Sequence, residues 1–242
     1  MTMRRRFTNL RLPCGGNSTR PMDIFVEDGR IVQVTPPASV ASEPDERVID
    51  LDGRLVIPGV IDGHVHFDDP GFTQRENFET GTRAAAAGGV TCIVDMPCTS
   101  LPPVTTRANL QEKLDVIEPK AHVDFILWGG VSDNALQDPN WRGNLEDIAS
   151  EGVGSIKLYM LSGMDTFRDL SRSQLEMVLR ETARLAIPVG IHAEDRELVH
   201  ERTAKLQAEG RDRPLDYAAS RPPEAEISAV RTMCELAMGA RW

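Results

Sequence analysis

The 242-residue chain is poor in several things, and each shortage removes a class of function. Aromatic residues make up 5% of it (three Trp, two Tyr, seven Phe), too few for the stacking platforms that single-stranded nucleic acids need. Positive charge is scarce: 27 Lys and Arg against 37 Asp and Glu leave a formal net charge of -10. That balance opposes nucleic acid and anionic membrane surfaces as partners. No window offers the ~18 apolar residues of a membrane span. The basic start Arg4-Arg5-Arg6 is followed by no apolar run, so a secretory leader is not expected. The four cysteines, Cys14, Cys92, Cys98 and Cys234, include no C-x-x-C pair. Cys92 and Cys234 stand in apolar patterns and read as small buried hydrophobes. A reduced, cytoplasmic protein is the expectation.

What is present falls into two patterns. Residues 1–55 read as a small β domain. Asp23-Ile24-Phe25-Val26 and Ile31-Val32-Gln33-Val34 flank Glu27-Asp28-Gly29-Arg30, a hairpin signal. The polar stretch 36–46 reads as a loop, and Val48-Ile49-Asp50 and Arg54-Leu55-Val56-Ile57 as short strands. In residues 56–242 apolar runs (59–66, 90–96, 123–128, 154–159, 187–192) alternate with amphipathic stretches (76–87, 107–117, 145–151, 171–185). Asn144 and Ser171 are candidate N-caps, Ser171 with Gln174 in capping-box spacing, and Gly88-Gly89 suits a helix end. Two further helices are expected over 196–209 and 222–240. Strand and helix alternating at roughly 30-residue spacing predict βαβ units and a parallel sheet. No G-x-G-x-x-G follows the first strand, which weakens a doubly wound nucleotide-binding fold. A full (β/α)8 barrel takes about 250 residues, so the five runs predict an incomplete TIM barrel, about five of its eight strands.

Candidate chemistry lies at the ends of these runs. His64-Val65-His66 closes the first run, and residues i and i+2 of a strand share a face. The two imidazoles would project together at the C-terminal end of a barrel strand, where barrel active sites lie. Alone, H-x-H also fits loop histidines; Asp62 and Asp68 nearby could orient ligands. Lys157 stands in the apolar Ser155-Ile156-Lys157-Leu158-Tyr159, where a lysine is costly unless paired, modified or snorkelling. His192 ends the fifth run. Four strand-end polar residues on three parallel strands point to one rim. Cys98 and Thr99 follow the second strand at that rim, as pocket lining or plain loop. His122 and His200 read as structural or surface residues.

Together these stretches resemble the cyclic amidohydrolases of the amidohydrolase superfamily: dihydroorotases, allantoinases and hydantoinases. The likeness is carried by Pro58-Gly59-Val60-Ile61-Asp62-Gly63-His64-Val65-His66-Phe67-Asp68-Asp69-Pro70-Gly71 and by Glu79-Thr80-Gly81-Thr82-Arg83-Ala84-Ala85-Ala86-Ala87-Gly88-Gly89-Val90-Thr91. Asp95-Met96-Pro97, Ile156-Lys157, His192-Ala193-Glu194 and Arg221-Pro222-Pro223-Glu224-Ala225-Glu226 continue it. The resemblance implies a barrel beside a small N-terminal β-sandwich, and a site with two zinc ions. His64 and His66 would bind the first metal and His192 the second. Lys157 would carry a carbamate bridging both. A metal-activated hydroxide would then open a cyclic amide or ureide C–N bond.

The departures are equally specific. The family pattern requires a further histidine on the sixth strand and an aspartate on the eighth as ligand and general base. This sequence has neither, so that aspartate is expected beyond residue 242 and the chain is expected to be an N-terminal fragment, inactive alone. Dihydroorotases carry an arginine for the substrate carboxylate where Asp68 stands, and an asparagine where Cys98 stands; an aspartate would repel a carboxylate. Asp68 and Cys98 are therefore candidate substrate-binding residues for a ureide or hydantoin-like ring, with a dihydroorotase-type substrate second. The complete protein is expected to be a homo-oligomer. The competing expectation is a short, non-catalytic homologue that partners a complete amidohydrolase. A nucleotide-binding protein is the third.

Overall fold

The computed structural model describes residues 4–41 and 45–240. Residues 42–44 of the expected 36–46 loop, and the closing Arg241 and Trp242, lie outside the described residues. The chain divides into two compact units, Met1–Gly59 and Val60–Trp242.

In the first unit β1 (Arg5–Pro13), β2 (Thr19–Glu27), β3 (Arg30–Thr35) and β4 (Arg47–Asp50) form one sheet in the order β3-β2-β1-β4. The β2–β3 hairpin turns at Asp28 and Gly29, with φ of 48° and 75°. Two positive φ values match the right-handed strand twist, which is why Asp-Gly marks such turns. Strand β1, absent from the sequence reading, pairs antiparallel with β2 and parallel with β4. Its inward positions include Arg6 beside Leu10, and a buried charge hides the apolar period. Arg6 lies against Asp23 (Nη2 to Oδ2, 2.8 Å) and over the Phe25 ring at 5.0 Å. The strand expected over residues 54–57 reduces to a single bridge, Leu55 with Arg11. Asp52 and Gly53 both adopt positive φ, so the chain turns tightly just before it, and Pro58 stands just after.

The second unit alternates parallel strands with helices: β5 (Val60–Val65), α1 (Phe78–Ala87), β6 (Val90–Asp95), α2 (Arg107–Ile117), β7 (Asp124–Leu127), β8 (Gly129–Gly130), α3 (Asp133–Leu136), α4 (Trp141–Ser150), β9 (Ile156–Tyr159), α5 (Arg172–Leu185), β10 (Val189–His192), α6 (Arg196–Ala208), α7 (Pro214–Ala219) and α8 (Pro223–Ala240). Its two parallel sheets run β5-β6-β7 and β8-β9-β10. Consecutive β7 and β8 pair with β6 and β9 respectively. One stretch of chain therefore faces both ladders, the α/β pattern of a partial barrel. Gly129 and Gly130 permit this, because a Cβ there would stand 2.6 Å from Ile148 Cδ1 and Phe167 Cζ respectively.

Local signals set the helix ends. Asn77 caps α1, accepting the Thr80 N–H at 3.0 Å, and Gly89 (φ 84°) follows its end. Ser171 and Gln174 form the full capping box of α5. Helix α4 begins earlier than expected, and Asn144 lies inside it rather than capping it. Trp141, Leu145 and Ile148 are all buried, and this i, i+4, i+7 stripe needs a start at Trp141. Asn144 instead donates to Asp138 at 2.8 Å.

The helices pack Phe78, Leu110, Ile117, Leu145, Ile148, Leu175 and Val178 against Ile93, Ile156 and Leu158 of the strands. Strand alternation then turns Val94, Lys157, Tyr159, Gly190 and His192 to the opposite face. Cys92 is half-buried, and Cys234, expected inside, is exposed. It lines an apolar groove with Leu179, Val189, Ile191, Val230, Met233 and Ala237 that no described residue covers. No helix among the described residues is long and apolar enough to cross a membrane.

Candidate functional site

Parallel pairing sets the C-terminal ends of β5 and β6 side by side, and likewise those of β9 and β10, and the Cys98–Tyr159 contact joins the two sets at one rim, where the residues follow from strand period. His64 is the penultimate residue of β5 and His66 the first beyond it. Their Nε2 atoms face each other at 3.3 Å. The backbone N–H of His64 donates to Asp62 Oδ1 at 3.2 Å, so Asp62 braces the main chain rather than the ring. The other ring nitrogen of His66, Nδ1, lies 3.2 Å from Thr99 Oγ1 and 3.9 Å from Cys98 Sγ.

Lys157 is buried in β9, and its ammonium sits 5.3 Å from the centroid of the Tyr159 ring. Tyr159 Oη is 3.2 Å from Cys98 Sγ, and its ring stacks on His192 at 5.2 Å and 26°. That stack follows from register, since His192 and Tyr159 are direct partners in the β9–β10 ladder. His192 Nε2 is in turn 2.7 Å from Glu194 Oε2, an engagement that competes with its use as a ligand.

The electrostatics tie the rim together. Both imidazoles are exposed on one side, yet the protein behind them desolvates them. His66 is lowered to about 4, by burial first and then by His64, Lys157 and Lys113. His64 is lowered by burial, then by Lys157, with a smaller contribution from His192. Burial also pulls the Lys157 amine below its ordinary range and pushes the Cys98 thiol and Tyr159 phenol up. The result at neutral pH is a pair of uncharged imidazoles beside a lysine biased toward its neutral, nucleophilic form.

Of the residues singled out from sequence, His64, His66, Cys98 and Thr99 form one contact group, and Lys157 and His192 join it through Tyr159. Among the described residues no three His, Cys, Asp or Glu side chains already converge into a metal cage. Asp68 is buried just beyond His66 with φ 51°, and its Oδ1 has no hydrogen-bond partner among the described residues. His122 and His200 are exposed. Sequence reasoning missed Tyr159 and Glu194. The signal was available: Lys157/Tyr159 and His192/Glu194 repeat the i, i+2 spacing of His64/His66 at the ends of their strands.

The 3.3 Å between the two Nε2 atoms also fits a metal, because two nitrogens about 2.05 Å from a tetrahedral zinc lie about 3.3 Å apart. Neutral imidazoles are the form that binds metal.

Comparison with known proteins gives the family. The sequence profile of the amidohydrolase family matches residues 55–238. An allantoinase of Rubrobacter xylanophilus is 39% identical over 209 residues, covering 86% of this chain and 44% of the relative. An allantoinase of Streptomyces avermitilis is 40% identical over 217 residues, covering 89% and 46%. The solved L-hydantoinase (dihydropyrimidinase) from Arthrobacter aurescens superposes with a TM-score of 0.87 at 28% identity, over 99% of this chain and 51% of that one. The chain spans about half the length of the curated relatives it matches. On its profile match and its relatives, this chain belongs to the amidohydrolase family.

Proposed function

We propose that this chain supplies the first half of the catalytic barrel of a cyclic amidohydrolase that opens a C–N bond of a ureide or hydantoin-type ring, allantoin being the first candidate. The observation that carries the reading is the His64–His66 pair, two neutral imidazoles at zinc-binding separation on the rim of parallel strands. Members of this family generally use a metal. His64 and His66 would hold one zinc ion, Lys157 as a carbamate would bridge to a second, and His192 would bind that second ion. A bound zinc pair would supply Lewis acidity, activating water near neutral pH and polarising the ring carbonyl.

The chain's own residues prepare this. Burial keeps the Lys157 amine toward its neutral form, whose lone pair can attack carbon dioxide. An N–C bond forms, one C=O electron pair moves to oxygen, and the nitrogen gives up a proton to solvent water, leaving a carbamate. Tyr159 stacks His192 and contacts Cys98, fixing the rim between Lys157 and Cys98. Asp68 and Cys98, where dihydroorotases resemble one another in carrying Arg and Asn, favour a neutral ring with N–H donors over a carboxylate.

The remaining ligands and the general base would come from sequence outside the half spanned here, so the chain alone would bind metal without turning over substrate. The complete protein would be a homo-oligomer. The four-stranded sheet of the first unit would form one layer of a small β-sandwich; exposed Ile31 and Val34, on the face shared with Ile24 and Val26, are surface a second layer would cover.

The test is zinc titration of the purified chain, with assays on allantoin, hydantoin and dihydroorotate. Retention of zinc that His64→Ala and His66→Ala each abolish, without ring opening, is the expected outcome. A chain that binds no divalent metal overturns the metal assignment. ¹³C NMR under labelled carbon dioxide should give a carbamate signal that Lys157→Ala removes.

A further inference from the structure

Lys113 lies on α2, a helix that carries none of the rim residues, and is almost wholly buried. Its ammonium pairs with Asp95 Oδ2 at the end of β6 and donates to Ser100 Oγ at 2.6 Å. The Phe78 ring centroid is 5.7 Å away. Asp95 Oδ1 accepts the backbone N–H of Phe67 at 2.9 Å. Phe67 is the residue after His66. Ser100 is the residue after Thr99, whose Oγ1 meets His66 Nδ1 at 3.2 Å. These contacts close a ring: His66 to Phe67, to Asp95, to Lys113, to Ser100, to Thr99 and back to the imidazole.

A buried ion pair is a poor stabiliser, because desolvation offsets most of its attraction, and an apolar pair of similar volume does as well or better. What this pair adds is direction. One oxygen of Asp95 fixes the main chain leaving β5. The ammonium held by the other oxygen fixes the loop leaving β6. His66 is thus gripped from its backbone and from its ring.

We propose that Lys113 is a positioning residue, which acts through Asp95 on one side and through Ser100 and Thr99 on the other to hold His66 with Nδ1–H donated to Thr99 and Nε2 turned to the rim. The hydrogen assignment is self-consistent: with Nδ1 protonated, His66 Nε2 accepts from His64 Nε2–H when no metal is bound. With metal bound, the same orientation presents Nε2 as the ligand atom, and an outer contact of this kind fixes tautomer and ring angle. The inference rests on the proposed metal role of His66 for its consequence, but its tautomer claim stands without metal.

The test uses the full chain and three readouts: zinc affinity by chelator competition, the His66 tautomer by ¹⁵N NMR of metal-free protein, and thermal unfolding. Thr99→Val and Ser100→Ala should keep the fold and weaken zinc binding roughly 10- to 100-fold. Thr99→Val should also release His66 into mixed tautomers. Lys113→Met should do both and lower the melting temperature. Because that variant strands a buried carboxylate, the double variant Asp95→Asn/Lys113→Met serves as its control. It should recover the melting temperature without recovering the affinity. If the wild-type chain binds no zinc, the metal reading fails, and the tautomer measurement still decides this proposal. A His66 tautomer unchanged in Thr99→Val and Lys113→Met overturns it. So does zinc affinity that merely follows the melting temperature across the variants.

Discussion

The two ends of the rim are held by different means. At His66 the imidazole is open to solvent on one side, but it is backed by buried groups of β6, α2 and the loop between them, with Lys113 and Asp95 both nearly inaccessible to solvent. At His192 the side chain is 43% exposed, and its supports are the Tyr159 ring beside it and Glu194 two residues on. Strand β10 pairs only with β9 among the described residues, whereas β6 is flanked by β5 and β7. The difference teaches that strand period alone puts a side chain at a rim, but a second layer of buried polar contacts decides how firmly it stays.

The comparison is tested hardest at Lys113. Replacing it with Met leaves Asp95 buried without the ammonium that offsets its burial and should cost about 3–5 kcal/mol in denaturant unfolding. A loss under about 1 kcal/mol would mean that the His66 end is no more firmly built than the other. Next comes pH. His66 is lowered to about 4 in the folded chain against 6.5 ordinarily, so between those values the unfolded chain takes up a proton that the folded chain refuses. Its contribution to stability is complete above pH 6.5 and is lost as pH falls toward about 4. An NMR titration of His66 Cε1–H should show that low midpoint, and His66→Gln should flatten the stability profile across the window. On the His192 side, Asp195 caps α6, accepting the Leu198 N–H at 3.1 Å and the Ser228 hydroxyl at 2.6 Å. Asp195→Ala should cost about 1 kcal/mol by urea unfolding. The smallest effect belongs to His192→Asn, expected within about 0.5 kcal/mol of the parent chain. A destabilisation as large as that of Lys113→Met would erase the contrast.

Much of this was legible in the sequence, for reasons that can be named. The hairpin at Asp28-Gly29, the capping box at Ser171 and the alternation of apolar runs with amphipathic stretches are local signals with local causes. So is the shared face of His64 and His66. Strand β1 stayed hidden because an arginine occupies one of its inward positions, balanced by Asp23 in a different strand. The start of α4 was misplaced because burial of Trp141, a tertiary fact, outweighed the capping preference of Asn144. Lys113 looked like an ordinary lysine in an amphipathic helix. Only the fold brings Asp95 and Ser100 to it. The roles proposed for Lys157 and His192 rest on resemblance and await the metal titration.

One close approach in the rim wall bears on which sequences this architecture can accept. The Trp128 indole lies across β10 where a Cβ at Gly190 would fall 2.2 Å from its Cζ3. Even alanine there would have to displace the ring, so in a saturation library substitutions at position 190 should be accepted only where the Trp128 ring can swing aside or is replaced. Drift away from glycine should first require a smaller residue at 128. The two positions, far apart in the gene, are thus one unit of inheritance, and a designer grafting new pocket walls onto this scaffold would have to exchange them together.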